Sequence, residues 1–331
     1  SEMCIRDRDK IELITRPIEK ELEAFRQLFD SSLQSSNPLL NEVLSYIKKR
    51  NGKMMRPILV MLMAKLHGVL NDATLHAALS LELLHTASLV HDDVVDESDK
   101  RRGQSSVNAV YNNKVSVLVG DYMLATSLRH AAFTGMIELV ELVARLGQEL
   151  AEGEIIQLAN TSNREFSEEV YFNVIRKKTA ALFTASAESG AVSVHASDEA
   201  VRKAALFGEM IGIAFQIKDD IFDYFENAEL GKPTGNDMVE GKLTLPALYV
   251  INKLGTEEIR ELGLRIRKLE ASKDEIASFV ELIKREGGIA YAEQVMYDYR
   301  ERALALLPAF TEEQYRMALT AYINYVIERN K

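Results

Sequence analysis

Apolar residues recur at spacings of three and four along almost the whole chain, which is the repeat of an amphipathic helix. Clear examples are IELITRPIEKELEAFRQLF, ATLHAALSLELLHTASLVHDDVV and EEVYFNVIRKKTAALFTASAESGAV. Helix-start residues agree with this pattern, with Asp72 before the second segment and Ser167 before the third. Runs that alternate between apolar and polar residues, as strands do, are absent from the sequence. The pattern predicts an all-α protein of roughly ten or more helices.

Two predicted helices, 74–91 and 201–217, are apolar over most of their surface, so we expect them in the middle of the protein. Only 6 Pro and 17 Gly interrupt the 331 residues, and no linker-like stretch separates two domains. The main break is 227–246, which we expect to be a long functional loop. We therefore predict one large helical domain over 10–331 and interpret 1–9 as a non-native or disordered tail.

Composition excludes several classes of protein. The net charge of −10 argues against a nucleic-acid partner, which needs a basic surface. The single cysteine, Cys4, excludes an internal disulfide and suits a reducing compartment, so we expect a cytoplasmic protein. No apolar run is long enough for a transmembrane segment, and the first residues lack the apolar core of a signal peptide.

Two segments, LVHDDVVDESDKRRG and IKDDIFDYF, carry the same Asp-Asp-x-x-Asp pattern at the end of a predicted buried helix. Residues i and i+4 of a helix share a face, so the outer two aspartates of each pattern point the same way. Carboxylates at this end repel one another and the negative end of the helix dipole, so they need cations. Mg²⁺ fits best because it binds one or two carboxylates together with substrate phosphates. The six aspartates are Asp92, Asp93, Asp96, Asp219, Asp220 and Asp223.

Two other interpretations of the first pattern are open. One is a solvated acidic helix end beside a basic loop. The other is a metal phosphohydrolase of the His-Asp type, since His91 precedes Asp92. Neither explains why the pattern is repeated after a second apolar helix.

Basic clusters stand out against the acidic background. Each alone is consistent with a solvated surface, but together with two carboxylate patterns they favour a shared diphosphate site. His85 lies two turns before Asp92 on the same helix face, so it is either a core histidine or a ligand contact. Lys53 and Arg56 share a face if a helix restarts after Gly52. The other basic candidates are Arg101, Arg102, Lys178 beside the Thr179 hydroxyl, and Lys232 and Lys242 near the ends of the expected loop.

These residues stand in motifs that resemble the trans-isoprenyl diphosphate synthases, or polyprenyl synthetases, of the long-chain type. The motifs are GKMMRP, LLHTASLVHDDVVDESDKRRG, GDYMLA, KKTAALF, FQIKDDIFDYF and LGKPTGNDMVEGKLTLPALY, and the resemblance extends from about residue 11 onward. It implies an all-helical bundle around a deep central cavity, usually as a homodimer. It also implies condensation of an allylic diphosphate, such as farnesyl or geranylgeranyl diphosphate, with successive isopentenyl diphosphates. Mg²⁺ is the implied cofactor, with three ions when substrate is bound.

The resemblance also implies a role for each candidate. It makes Asp92, Asp96 and Asp219 the main Mg²⁺ ligands, with Asp93, Asp220 and Asp223 in or just behind the inner coordination sphere. The residues that would meet the allylic diphosphate are Arg101, Lys178, Thr179, Gln216, Lys232 and Lys242. Those that would meet isopentenyl diphosphate are Lys53, Arg56, His85 and Arg102. The family's basic C-terminal tail is represented only by Arg329 and Lys331, so we do not expect tail closure over the site.

Product length has its own candidates. If the diphosphate lies at Asp92, the growing chain runs down the helix past Ser88 and Ala87, where short-chain relatives carry bulky aromatics. Both residues are small here, so the tunnel should continue past Leu84 toward Met123. We therefore expect a product beyond about six isoprene units, with peripheral membrane contact when it is released. Small residues that merely allow close helix packing are the alternative.

Three other activities are weighed against this one. A class I terpene cyclase shares the first aspartate pattern but normally has a different second metal site. A non-catalytic partner subunit of a heteromeric synthase usually lacks the aspartates, which are complete here. A shorter-chain farnesyl or geranylgeranyl diphosphate synthase is the nearest alternative.

Overall fold

A computed structural model of the chain describes residues 2–49, 52–101, 103–159, 165–225, 234–309 and 312–328, with side chains from residue 9 onward. This part of the chain is almost entirely helical, which confirms the all-α class. Its α-helices are α1 Glu2–Thr15, α2 Glu19–Ser32, α3 Pro38–Lys48, α4 Met55–His67, α5 Asp72–Val95, α6 Val107–Tyr111, α7 Asn113–Phe133, α8 Ile137–Ala159, α9 Glu168–Ile175, α10 Ala181–Ser193, α11 Asp198–Phe222, α12 Asn236–Val239, α13 Leu245–Leu254, α14 Glu257–Arg267, α15 Lys273–Arg285, α16 Gly288–Ala305 and α17 Glu313–Glu328.

Short elements complete this description. A 3₁₀ turn spans Arg16–Ile18 and a π-helical turn spans Arg176–Ala180. The strands in the described residues are β1 Lys100–Arg101 and β2 Gln104–Ser105, which pair as an antiparallel hairpin. Within the described helices, none is long and apolar enough to cross a membrane.

Several helices begin at a side-chain cap. Ser167 accepts a hydrogen bond from the Val170 amide and caps α9, as the sequence predicts. The cap of α5 is Asn71, whose side chain accepts from the Thr74 amide while the Thr74 hydroxyl accepts from the Asn71 amide. Asp72 is therefore the first residue of α5 rather than its cap.

The chain divides into two compact units. The first comprises Ser1–Gly147, Leu182–Gly208 and Leu307–Tyr322, and the second Gln148–Ala181, Glu209–Leu306 and Ile323–Lys331. Each unit is described by itself below. That the helices form one domain around a central cavity stays a prediction.

The core of the first unit is α5, which packs mainly against α7 and also against α4. Ser80 and Ser127 join α5 to α7, because each hydroxyl donates to the other residue's carbonyl at 2.8 and 2.7 Å. In the second unit α13 packs against α16, where the rings of Tyr249 and Tyr291 stack with centroids 4.2 Å apart. Gly288 permits this approach, since a Cβ there would lie 2.7 Å from the Pro246 carbonyl oxygen.

The expected loop at 227–246 is not wholly irregular. It contains the short helix α12, and α13 begins inside its last two residues. The first part of the loop, including Lys232, lies outside the described residues.

Candidate active site

The first aspartate motif, residues 92–96, forms the C-terminal end of α5. Asp96 is the C-cap residue, and its amide donates to the Asp92 carbonyl at 2.8 Å. Asp92 is partly buried and Asp96 is exposed, whereas Asp93 is buried. The outer two carboxylates are thus the ones that solvent reaches, and the middle one faces the protein.

Asp93 is engaged by Arg101. The Arg101 Nε atom donates to Asp93 Oδ1 at 2.7 Å, and the Ser98 amide donates to the Asp93 carbonyl at 2.9 Å. Arg101 is the second residue of β1, so the hairpin folds its basic residue back onto the end of α5. A buried carboxylate needs such a partner because an unpaired buried charge is costly. Arg102 lies outside the described residues.

His91 holds the same end of α5 against α7. Its Nε2 atom lies 3.2 Å from the Val117 carbonyl oxygen and 3.3 Å from Asp121 Oδ1. Two acceptors at one nitrogen mean that Nε2 carries the proton. Gly120 makes room for the ring, since a Cβ there would lie 2.2 Å from Nε2. The GDYMLA motif therefore has a local packing reason for its glycine.

The basic residues near α4 are arranged differently from the sequence expectation. Helix α4 begins at Met55, after Met54 in a left-handed backbone conformation (φ 51°). Lys53 therefore precedes the helix, so the condition for a helical face shared with Arg56 is not met. The Arg56 guanidinium lies 5.5 Å from the centroid of the Phe183 ring. His85 is partly buried on α5, and its carbonyl accepts a bond from the Ser88 hydroxyl at 2.8 Å.

The second aspartate motif, residues 219–223, ends α11 in the second unit. Its burial repeats that of the first motif at two positions, with Asp219 partly buried and Asp220 buried. Asp223 follows the helix and binds the backbone of the next segment. Its Oδ2 accepts from the Asp237 amide at 3.1 Å, and its carbonyl accepts from the Gly235 amide at 2.8 Å.

Both oxygens of Asp220 are engaged. The Tyr171 hydroxyl donates to Oδ2 at 2.5 Å, and the Gln216 side-chain amide donates to Oδ1 at 2.8 Å. The Thr179 hydroxyl donates in turn to Gln216 Oε1 at 2.7 Å. The second unit thus brings together three predicted site residues, Thr179, Gln216 and Asp220. It adds Tyr171, which was not predicted from the sequence.

The environment shifts the two acidic groups of this network. Burial raises the pKa of Asp220 well above its usual range, and nearby Asp237 raises it further, while the bonds from Tyr171 and Gln216 oppose the rise. Burial also raises the pKa of the Tyr171 hydroxyl, helped by Asp220. Tyr171 therefore stays protonated and remains the donor at neutral pH.

Lys178 and Thr179 lie on the π-helical turn between α9 and α10. Such turns are often found at functional sites. The Lys178 ammonium forms an ion pair with Glu154 and donates to Gln157 Oε1 at 3.3 Å. Gly153 allows α8 to approach the π-helical turn, since a Cβ at this position would lie 3.0 Å from the Lys178 amide nitrogen.

Lys242 follows α12. Its ammonium forms an ion pair with Glu240 at 2.7 Å, and its amide donates to the Asp237 carbonyl at 2.8 Å. The Asp223 and Lys242 contacts together fix the described end of the 227–246 segment.

The product-length candidates lie in the first unit. Ala87, Leu84 and Met123 are buried, and Ser88 is partly buried. Leu84 faces Gly147 of α8, with its Cδ1 atom 3.9 Å from where a glycine Cβ would stand. That distance is ordinary van der Waals contact, and among the described residues no other atom lies within 4 Å of the position, apart from the chain neighbours of Gly147 and the local helix backbone.

Sequence reasoning missed Tyr171, Glu154 and Asp237. Tyr171 is eight residues before Thr179, and the π-helical turn between them changes the register, so helical spacing does not predict that they join one network. Glu154 and Gln157 are three apart on α8 and share a face, which is a usable signal once α8 is placed beside Lys178.

The aspartate carboxylates of each motif suit a hard divalent cation. Carboxylate oxygens are the ligands that Mg²⁺ prefers, and Asp92, Asp96 and Asp219 keep part of their surface open. Within the described residues of this ligand-free structure, no three His, Cys, Asp or Glu side chains already form a metal-binding group.

Comparison with known proteins identifies the family. The family model described as Polyprenyl synthetase matches residues 37–283. Octaprenyl diphosphate synthase of Escherichia coli (strain K12) is 33% identical over 300 residues, which are 90% of this chain and 93% of that protein.

Solved structures agree with the sequence match. The geranylgeranyl pyrophosphate synthase from Bacteroides thetaiotaomicron is 54% identical, with a TM-score of 0.85 and coverage of 97% of this chain and 100% of that one. The polyprenyl synthase from Caulobacter crescentus CB15, complexed with calcium and isoprenyl diphosphate, is 32% identical, with a TM-score of 0.89 and coverage of 97% and 98%. The chain therefore belongs to the polyprenyl synthetase family and is a trans-prenyltransferase.

Proposed function

We propose that this prenyltransferase makes a long-chain all-trans polyprenyl diphosphate by adding successive isopentenyl diphosphates to farnesyl or geranylgeranyl diphosphate. The observation that carries the proposal is the pair of small residues below the first aspartate motif. Ala87 is buried and Ser88 partly buried one turn before Asp92, where a bulky aromatic would block a growing chain. A long prenyl product suits the side chain of a quinone.

The relatives' names favour two different lengths. The relative at 33% identity is an octaprenyl diphosphate synthase, whereas the solved structure at 54% identity is named a geranylgeranyl pyrophosphate synthase. The second name supports a shorter product as the alternative function. We favour the longer product because Ala87 and Ser88, in the turn before Asp92, are small.

The site residues have the following proposed roles. Asp92, Asp96 and Asp219 would hold Mg²⁺, three ions in the substrate complex, and the metal would supply stabilisation of the negative charge on the departing diphosphate. Arg101, Lys178, Lys232 and Lys242 bind the remaining oxygens of the allylic diphosphate, and Thr179 and Gln216 complete that site. Lys53, Arg56, His85 and Arg102 bind isopentenyl diphosphate.

The bonds change in a simple order. The allylic C–O bond breaks, and the diphosphate keeps the electron pair. The isopentenyl double bond attacks the allylic cation, a new C–C bond forms, and the proton passes to the departing diphosphate. Fixed cations such as Lys178 need no rearrangement as charge develops on the leaving group. Apolar walls around Ala87 and Leu84 exclude the water that would quench the cation.

We also propose a homodimer formed through α7. This helix exposes an apolar stripe with Leu118 at 67%, Leu128 at 42% and Phe133 at 56% relative exposure, and Ala125 and Ala132 lie on the same exposed face. The seven-residue spacing of Leu118, Ala125 and Ala132 is typical of paired helices. Leu118→Glu should dissociate the dimer in light scattering, whereas Val69→Glu, at an exposed apolar residue elsewhere, should not.

A cytoplasmic location and peripheral membrane contact during product release complete the proposal. The single cysteine supports a reducing compartment, and the length of the expected product supports the membrane contact.

The product itself tests the proposal. Purified protein is incubated with Mg²⁺, isopentenyl diphosphate and either farnesyl or geranylgeranyl diphosphate, and the products are sized by chromatography. Products beyond about six isoprene units, each unit adding about five carbons of buried chain, support the long-chain function. A product that stops at geranylgeranyl diphosphate supports the alternative.

A further inference from the structure

Tyr171 is a buried residue of α9, outside the motifs, with no role in the mechanism described above. Its hydroxyl donates to Asp220 Oδ2 at 2.5 Å, and its ring packs edge-to-face on Phe172 with centroids 5.3 Å apart. Asp220 is only 3% exposed. A carboxyl group this deeply buried, with its Oδ2 atom hydrogen-bonded to a phenol, is better placed to hold neighbouring side chains than to meet solvent or an ion.

The next contacts fix the orientation of an amide. Asp220 accepts a hydrogen bond at each oxygen, and Gln216 turns its nitrogen toward Oδ1 at 2.8 Å. Its oxygen therefore faces Thr179, whose hydroxyl becomes the donor at 2.7 Å. One phenol thus determines, through a carboxylate, which atom Gln216 turns toward Thr179.

The first unit offers a parallel. Its middle aspartate, Asp93, is also buried and accepts a bond from Arg101 at 2.7 Å. In both motifs the middle carboxylate therefore holds a side chain that we assign to the allylic diphosphate.

We propose that Tyr171 is a positioning residue for the allylic-diphosphate site, acting through Asp220 on Gln216 and Thr179. The inference rests on the proposed function, because it concerns the roles given there to Gln216 and Thr179. It differs from a purely structural role for the phenol in predicting that loss of the hydroxyl changes one substrate's kinetics and not the other's.

Tyr171→Phe is the test, because it keeps the ring and removes only the hydroxyl. The matched control is Tyr224→Phe, which also removes a buried hydroxyl of the second unit, one that lies 3.3 Å from Thr244 Oγ1. We expect both variants to lose similar thermal stability. Only Tyr171→Phe should raise KM for the allylic diphosphate, by about tenfold, with KM for isopentenyl diphosphate unchanged.

Two further measurements keep the result decisive. Binding of the non-reactive thiodiphosphate analogue of farnesyl diphosphate, measured by calorimetry, should weaken in Tyr171→Phe by a similar factor. In a double-mutant cycle, adding Tyr171→Phe to Gln216→Ala should have little further effect on the allylic KM, because both changes act on one network.

Three results would overturn the inference. These are an unchanged allylic KM in folded Tyr171→Phe, an equal effect in Tyr224→Phe, or full additivity with Gln216→Ala. Failure of the proposed function is distinguishable, because the wild-type protein would then release products that stop at geranylgeranyl diphosphate, whatever the allylic KM of Tyr171→Phe.

Discussion

The Nε atom of Arg101 donates to Oδ1 of Asp93 over 2.7 Å, and this pair joins the basic hairpin to the end of the aspartate helix. The carboxylate is buried, while the arginine side chain is 31% exposed. A guanidinium carries N–H donors besides Nε, and arginine donors of this kind suit phosphate oxygens. The buried aspartate thus sets where the arginine's exposed side lies.

Asp93→Asn should therefore weaken the allylic-diphosphate site without emptying the metal site. We expect KM for the allylic diphosphate to rise about tenfold, and the free energy of unfolding to fall by about 1–3 kcal/mol, because a buried charge-assisted bond is lost. Asp99→Asn, at an exposed residue of the same turn, is the control in steady-state kinetics and thermal melts. An unchanged allylic KM in Asp93→Asn would contradict this role.

Two glycines should respond to alanine in opposite ways. Gly120→Ala places a methyl 2.2 Å from His91 Nε2, so the ring must leave its two acceptors and the end of α5 must shift. We expect a loss of about 1–3 kcal/mol in stability and a clear fall in turnover. Gly147→Ala meets only Leu84, at 3.9 Å, and should be neutral or more stable by up to about 1 kcal/mol. Equal melting temperatures for the two variants would refute the packing argument.

The product should shorten when the wall below Asp92 is filled. Ala87→Phe combined with Ser88→Phe puts two rings one turn below the motif, so elongation should stop after about three or four isoprene units. Ala87→Ser with Ser88→Ala keeps the side chains small and should leave the product length unchanged. If the aromatic double variant is folded and active with wild-type products, these residues do not line the chain's path.

Stability should fall in acid because of a histidine pair between α5 and α7. The Nδ1 atoms of His76 and His130 lie 2.9 Å apart, and the two rings stack. Burial, His76 and Arg129 lower the pKa of His130 from 6.5 to about 4. The unfolded chain thus takes up a proton on His130 at higher pH than the folded chain does. The contribution of the neutral His130 to the free energy of unfolding is therefore complete above pH 6.5 and is lost as the pH falls toward 4.

Protonation of His130 should lower the free energy of unfolding by at most about 3 kcal/mol, because each pKa unit corresponds to ~1.4 kcal/mol. Melting temperature against pH, for wild type and His130→Asn, measures it. The variant should have a flatter profile between pH 6.5 and 4. His195→Asn is the control, because His195 is exposed and asparagine tolerates its positive φ. This variant should keep the wild-type slope of melting temperature against pH. Parallel profiles for wild type and His130→Asn would show that the pair does not titrate in this range.

Much of the fold follows from the sequence because burial has the period of a helix. The apolar segment 74–91 became the buried centre of α5, and Ser167 caps α9 as its side chain predicts. The start of α4 could not be predicted from the sequence, because Met54 adopts a left-handed conformation that a methionine side chain does not signal. The hairpin at Lys100–Arg101 was missed because two-residue strands are too short to show alternation.

The aspartate motifs stand out in the sequence because several like charges at a helix end are unfavourable without a compensating cation. Their different environments were not predicted: Asp93 and Asp220 are buried beside Arg101 and Tyr171, respectively. Those contacts depend on how the hairpin and α9 pack on their own units. Packing of this kind is not encoded in local spacing.

The most direct test of the account is the metal dependence of isopentenyl diphosphate incorporation in wild type, Asp92→Ala and Asp219→Ala, assayed at saturating Mg²⁺. We predict that the wild type loses activity in chelator and regains it with Mg²⁺. Both variants should remain folded, since removing one of several repelling carboxylates costs little stability, and turnover should fall by several orders of magnitude. Asp30→Ala, at an exposed aspartate of α2, should behave as wild type. Incorporation that persists in both motif variants, or that ignores chelator, would contradict the proposed role of the two motifs in metal-dependent catalysis.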